Sequence, residues 1–90
     1  MTNITAAIKT ASNNHSQLFR FGSGWKYSRT EGRNWRESDS RDYAQAREAR
    51  CISIAEDALA AMGYTDTYCW LQDATGSATQ RVRAYLASRA

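Results

Sequence analysis

Basic residues are interleaved with aromatic rings in the stretch FRFGSGWKYSRTEGRNWRES, residues 19–38. Arginine binds phosphate and carboxylate oxygens with its planar guanidinium group and also stacks on flat rings. Residues 1–50 carry nine basic and five acidic side chains, a balance of +4, whereas residues 51–90 carry three and four, a balance of −1. We therefore expect a partner to meet the first half. The candidate partner-binding residues are Arg20, Lys26, Arg29, Arg33, Arg36, Arg47 and Arg50.

The residue types that support catalysis are sparse and poorly spaced. His15 is the only histidine, and its sequence neighbours include no cysteine or carboxylate, so we interpret it as a helix-terminating or solvent-exposed residue rather than a general base. Glu56 and Asp57 are adjacent, and on a helix they would point about 100° apart instead of forming a carboxylate pair. The GSG sequence at residues 22–24 lacks the lysine of a phosphate-binding loop. The sequence predicts a protein that is not an enzyme.

Cys51 and Cys69 are the only cysteines. With one histidine they cannot complete a tetrahedral metal site without carboxylates, so no metal or cofactor is predicted. We expect both thiols to be reduced and mostly buried. The chain has neither a signal-peptide pattern at its start nor an apolar run long enough to cross a bilayer, which predicts a cytoplasmic protein without membrane contact.

The basic and aromatic residues must be positioned by strands, because hydrophobicity alternates with a period of two from Leu18 onward. Two three-residue loops that end in glycine, Gly22–Gly24 and Thr30–Gly32, would connect three strands, with Gly24 in the left-handed position of the first loop. In that register Phe21 pairs with Trp25, and every ring lies on the core side. The opposite face would carry a basic row formed by Arg20, Lys26 and Arg36. The rings predicted to form the core are Phe19, Phe21, Trp25, Tyr27 and Trp35.

Helices are predicted on both sides of these strands. Thr2 would cap a first helix from Asn3 to about Ala11, with Ile4, Ala7, Ile8 and Ala11 on one side at helical spacing. A central helix from about Arg41 to Met62 would be capped by one of the residues 38–40 and stopped by Gly63. Its predicted apolar stripe consists of Cys51, Ile52, Ala55, Ala58, Leu59 and Met62, with Tyr43 and small alanines on the inner side of its first half and Arg47 and Arg50 pointing outward.

The last third of the chain contains one ambiguous segment and one clear helix. Residues 64–73 suit either a helix capped by Thr65 or a strand, and we favour the helix because no hairpin partner follows. The Ser77 and Gln80 pair forms a capping box that begins a helix ending near Ser88. Its expected inward residues are Val82, Tyr85 and Leu86, and its expected outward residues are Arg81 and Arg89.

The predicted fold is a single α+β domain over residues 1–90. It contains an N-terminal helix, a three-stranded antiparallel β-meander, a long central helix and a C-terminal helix, with the helices packed on one face of the sheet. Because rings and basic residues fall on opposite faces in this prediction, base stacking is disfavoured. A nucleic-acid interaction would then be limited to phosphate-backbone contacts.

The layout of HSQLFRFGSGWKYS followed by RDYAQAREAR resembles small anti-CRISPR proteins encoded by phages and mobile elements of bacteria. The resemblance covers about Asn14 to Gly63 and concerns the meander-then-helix arrangement. It implies a non-enzymatic inhibitor that binds a CRISPR effector complex in the cytoplasm of a bacterial host and blocks recognition of target DNA. Several such proteins are acidic mimics of nucleic acid, and this basic chain departs from that pattern. The alternative hypothesis is a small nucleic-acid-binding protein.

Overall fold

The computed structural model describes residues 3–27 and 40–89. Within these residues the chain has an α+β fold, with helices packed against a two-stranded antiparallel sheet. No described helix is both long and apolar enough to cross a membrane. The elements in chain order are α1 (Ile4–Asn13), β1 (Phe19–Phe21), β2 (Gly24–Lys26), α2 (Tyr43–Ala61), α3 (Tyr68–Asp73) and α4 (Ala78–Ser88).

The first helix has the predicted buried face but a different cap. The Asn3 side chain accepts a hydrogen bond from the backbone N–H of Thr5 at 2.8 Å, so Asn3 is the N-cap, and Thr2 lies outside the described residues. Ala7 and Ala11 are buried, as the helical spacing predicted. The helix continues to Asn13, two positions beyond the predicted end.

The central helix is confirmed, with a later start. Its N-cap is Asp42, whose carboxylate accepts from the backbone N–H of Gln45, so the prediction of a cap among residues 38–40 was wrong. Asp42 also places a negative charge at the positive end of the helix dipole. The chain leaves the helix through Gly63, whose φ of 93° is the left-handed conformation expected of a glycine stop.

The two C-terminal helices resolve the ambiguous segment. Residues 68–73 form a helix, which confirms the favoured interpretation, but its N-cap is Thr67 rather than Thr65. The capping box is also confirmed: the Ser77 hydroxyl accepts from the N–H of Gln80, and the Gln80 side chain accepts from the N–H of Ser77. The helical state of residues 68–73 and 78–88 was therefore predicted correctly.

The hydrophobic core lies among the helices and not beneath the rings of the sheet. Helix α2 is central, since α1, α3 and α4 all pack against it. The prediction that the sheet aromatics form the core was wrong for the described rings, because Phe19, Phe21, Trp25 and Tyr27 are only partly buried. The core residues with the lowest exposure are Ala55, Ala58, Leu59, Leu71 and Val82.

The register of the hairpin also differs from the prediction. The observed pairs are Phe19 with Lys26, Arg20 with Trp25, and Phe21 with Gly24, joined by a two-residue loop. Gly22, with a φ of 63°, takes the left-handed position that we had assigned to Gly24. Because directly paired residues share a face of a sheet, Arg20 and Trp25 lie on one face and Lys26 on the other.

Gly24 is required for the close approach of another segment. A Cβ atom there would lie 2.8 Å from the backbone oxygen of Arg41 and 2.8 Å from the Ser40 hydroxyl. Arg41 makes an isolated antiparallel bridge with Trp25, in which each backbone N–H donates to the other's carbonyl, at 2.7 and 3.0 Å. At Trp25 the second edge of β2 is therefore paired with Arg41. The predicted third strand lies outside the described residues.

Candidate functional site

A groove of about 380 Å³ lies between α2 and the segment that leads into the hairpin. Its lining includes Gln17 and Leu18, which precede β1, and Trp25 of β2. The N-terminal half of α2 supplies the remaining residues, which are Tyr43, Arg47, Arg50 and Cys51. None of these described lining residues is acidic, so the groove favours an anionic partner.

Trp25 connects the sheet to the helix at this groove. Its ring meets the Tyr43 ring edge to face, with the centroids 5.1 Å apart and the planes at 83°. The Arg20 guanidinium lies over the Trp25 ring, 5.5 Å from its centroid, within the distance of a cation–π contact. Rings and charges therefore share one surface, which contradicts their predicted separation onto opposite faces.

Arg41 is a candidate site residue that the sequence did not reveal. It is exposed and stands directly opposite Trp25 in the β-bridge, on the edge away from Arg20. Since paired residues share a face, Arg20, Trp25 and Arg41 form a row on one side of the hairpin. The predicted row of Arg20, Lys26 and Arg36 was wrong for Lys26. No sequence signal identifies Arg41, because the bridge joins segments separated along the chain.

The two arginines predicted on α2 are both at the groove but differ in their bonds. Arg47 is exposed, and among the residues described by the structure it has no ion-pair partner. Arg50 is half-buried, and its Nε donates to the backbone oxygen of Ser16 at 2.7 Å. Arg50 thus also holds the segment before β1 against α2, so it was wrongly predicted to point freely outward.

Lys26 does not belong to the exposed site. It is 3% exposed, and its ammonium group lies 4.7 Å from the centroid of the Phe21 ring. A long side chain can bury its methylene groups beside a ring while its charge meets the ring's negative face. The prediction that Lys26 lies in an exposed basic row was therefore wrong. Arg29, Arg33 and Arg36 lie outside the described residues and stay predictions.

His15 is buried, contrary to the exposed position considered for it. It is 6% exposed, its Nδ1 lies 2.9 Å from the backbone oxygen of Ala11, and its Nε2 lies 3.4 Å from Asp57 Oδ2. A carbonyl oxygen only accepts, so Nδ1 carries the proton and donates it. The ring terminates α1, as the helix-terminating interpretation required, and connects it to α2.

A second polar contact fixes the end of the hairpin on the same helix. The Tyr27 hydroxyl donates to the backbone oxygen of Ala49 at 3.2 Å and lies 2.7 Å from the Ser53 hydroxyl. Its ring centroid is 6.0 Å from that of His15. These contacts and the Trp25–Arg41 bridge hold the hairpin beside α2, which positions the rings of the groove.

Arg81 was predicted to point outward, and this prediction was wrong. It is 3% exposed, and its guanidinium donates to the backbone oxygens of Leu71 at 2.6 Å and Gly76 at 3.0 Å. It also contacts Glu48 Oε1 at 3.3 Å. Arg81 therefore joins α3, α4 and α2 and has a structural role, whereas Arg89 is exposed as predicted.

The cysteines and carboxylates do not converge in the described part of the chain. Both cysteines are free thiols; Cys51 is half-buried in the groove, whereas Cys69 is exposed, so its predicted burial was wrong. Across residues 3–27 and 40–89, no group of three or more histidine, cysteine or acidic side chains is placed to hold a metal ion.

No protein-family model, curated protein or solved structure matches this chain.

Proposed function

We propose that this chain is a non-enzymatic binding protein that engages an anionic partner through the groove beside α2. One observation carries the proposal: Arg20, Trp25 and Tyr43 are in contact on a surface that continues to Arg47. Arginine and aromatic residues are the types most enriched among the side chains that dominate binding energies. The exposed arginines supply attraction, and the rings supply contact area with little loss of side-chain entropy.

The resemblance to small anti-CRISPR proteins gives the partner in this proposal. The chain would bind a CRISPR effector complex in the cytoplasm of a bacterial cell and block its recognition of target DNA. Such a complex presents both acidic protein surface and nucleic acid, which suits a groove without described acidic lining residues. The second candidate is a small nucleic-acid-binding protein, which is favoured by the arginines that are exposed at the groove.

The decisive experiment combines charge reversal with partner capture. We expect Arg20→Glu combined with Arg47→Glu to weaken binding to a purified effector complex at least about hundredfold, because attraction is replaced by repulsion. Folding should change little, since substitutions of exposed residues seldom change stability by more than about 0.5 kcal/mol each. The assay would measure affinity by biolayer interferometry and inhibition by the loss of target-DNA binding.

The matched control reverses two arginines elsewhere on the surface. Arg83 and Arg89 are exposed on or beside α4, so Arg83→Glu with Arg89→Glu makes the same change in net charge. This pair should leave affinity unchanged. Equal loss in both double variants would show that only total charge matters and would reject the groove as the site. Capture that disappears after nuclease treatment would favour the nucleic-acid-binding candidate.

A further inference from the structure

The exposed face of α2 at the groove alternates an aromatic ring with cations at helical spacing. Tyr43, Arg47 and Arg50 occupy positions i, i+4 and i+7, which lie on one side of a helix. Tyr43 is 50% exposed, although a tyrosine at this place was expected to face inward. Its ring contacts Trp25 edge to face, and the residue stays exposed.

The hairpin face beside this stripe continues the alternation. Arg20 and Arg41 flank Trp25 on the two edges of β2, and both are exposed. Neither has an ion-pair partner among the residues that the structure describes. The combined surface therefore presents two neighbouring rings with cations on each side of them.

We infer that this surface binds an unpaired nucleic-acid strand, with a base stacked on the Tyr43 ring and the adjoining phosphates held by Arg20, Arg41 and Arg47. The inference deepens the proposed function and rests on the same groove. A single strand alternates planar bases with phosphates, which matches a surface that alternates rings with guanidinium groups. A volume of about 380 Å³ is within the range of pockets for small ligands and suits a base with its phosphate.

Two alternative partners match this surface less well. In a duplex the faces of the bases are covered by their stacked neighbours, so an exposed tyrosine ring has no base face to meet. An acidic protein segment provides carboxylates for the arginines, but it supplies no regular series of flat rings for Tyr43 and Trp25. An unpaired strand can contact both the rings and the arginines of this surface.

The test compares four anionic ligands, which carry unpaired bases, no bases, paired bases or carboxylates. Fluorescence anisotropy at low salt would measure binding of the full chain to a labelled oligothymidylate, an abasic strand of equal length and charge, a DNA duplex and polyglutamate. We expect the oligothymidylate to bind about tenfold or more tightly than the abasic strand, because each stacked base contributes measurably to affinity. Tyr43→Ala should remove that difference, and Tyr43→Phe should retain it.

A tyrosine of matched exposure provides the control variant. Tyr68 on α3 is 48% exposed and does not line the groove, so Tyr68→Ala should bind the oligothymidylate like the unaltered protein. Circular dichroism would verify that each variant is folded. Equal binding of the oligothymidylate and abasic strands, stronger binding of polyglutamate, or no binding of any probe would each overturn the inference. Retained capture of an effector complex in those cases would leave the proposed function standing.

Discussion

The corner between α3 and α4 and the groove beside α2 both contain arginine, but they use it in opposite ways. At the corner Arg81 is 3% exposed and bonded to two backbone carbonyls. At the groove Arg47 is exposed, and the exposed Arg20 has its guanidinium over the Trp25 ring. The number of arginines in a sequence therefore does not measure a binding surface, because burial and carbonyl partners decide which cations are available.

Among the corner, the hairpin bridge and the groove, the largest effect on stability is expected at the corner. Arg81→Ala would leave the buried carbonyl oxygen of Leu71 without its donor and would also remove the part-buried hydrogen bond to Gly76, so we expect a loss of about 3 kcal/mol. Urea denaturation would measure it. The control is Arg83→Ala, which removes an exposed arginine two residues away and should cost less than about 0.5 kcal/mol. Similar values for both variants would contradict the structural role of Arg81 at the corner.

An intermediate effect is expected where the hairpin meets residue 41. Gly24→Ala would place a Cβ atom 2.8 Å from the Arg41 oxygen, so the bridge must shift, and we expect a loss of about 1–3 kcal/mol. The same shift would displace Arg41 from its position opposite Trp25 and weaken partner binding. Ser23→Ala in the exposed loop is the control for both measurements. Unchanged melting and binding in Gly24→Ala would show that the bridge does not position the site.

The smallest stability effect of the three is expected at the groove itself. Trp25 is only partly buried, so Trp25→Ala should cost about 1–2 kcal/mol, less than the roughly 2–5 kcal/mol expected for Leu59→Ala in the core. Thermal melts of the two variants would give the ranking. A larger loss for Trp25→Ala than for Leu59→Ala would show that the aromatic rings of the sheet belong to the core, as predicted from the sequence. The rings would then not be part of the binding surface.

Local signals were sufficient for most of the helical part of the fold. The apolar spacing within α2, the Gly63 stop and the Ser77–Gln80 capping box each depend on residues within a few positions, and all were predicted. The caps at Asn3 and Asp42 were missed by choosing neighbouring residues of equal capping ability. Such errors of one or a few positions are inherent in chains with several successive polar residues before a helix.

The hairpin and the site required information from distant residues. Two glycines flank Ser23, and the alternation of rings favoured Gly24 as the left-handed residue, but Gly24 is needed for contact with Arg41 instead. That choice shifted the register by one residue, so Arg20 and Lys26, which were predicted to share a face, lie on opposite faces. Arg81 was mispredicted for a related reason: its carbonyl partners on Leu71 and Gly76 become available only after α3 and α4 pack together.

The reactivity of the Cys51 thiol can report whether the groove is occupied. Its thiol is free and lines the groove, whereas the free thiol of Cys69 is exposed on α3 away from it. A molecule seated in the groove would shield the first thiol from an alkylating reagent and leave the second reactive. Mass spectrometry of the two modified peptides would then report occupancy against an internal reference in the same chain, without any engineered label.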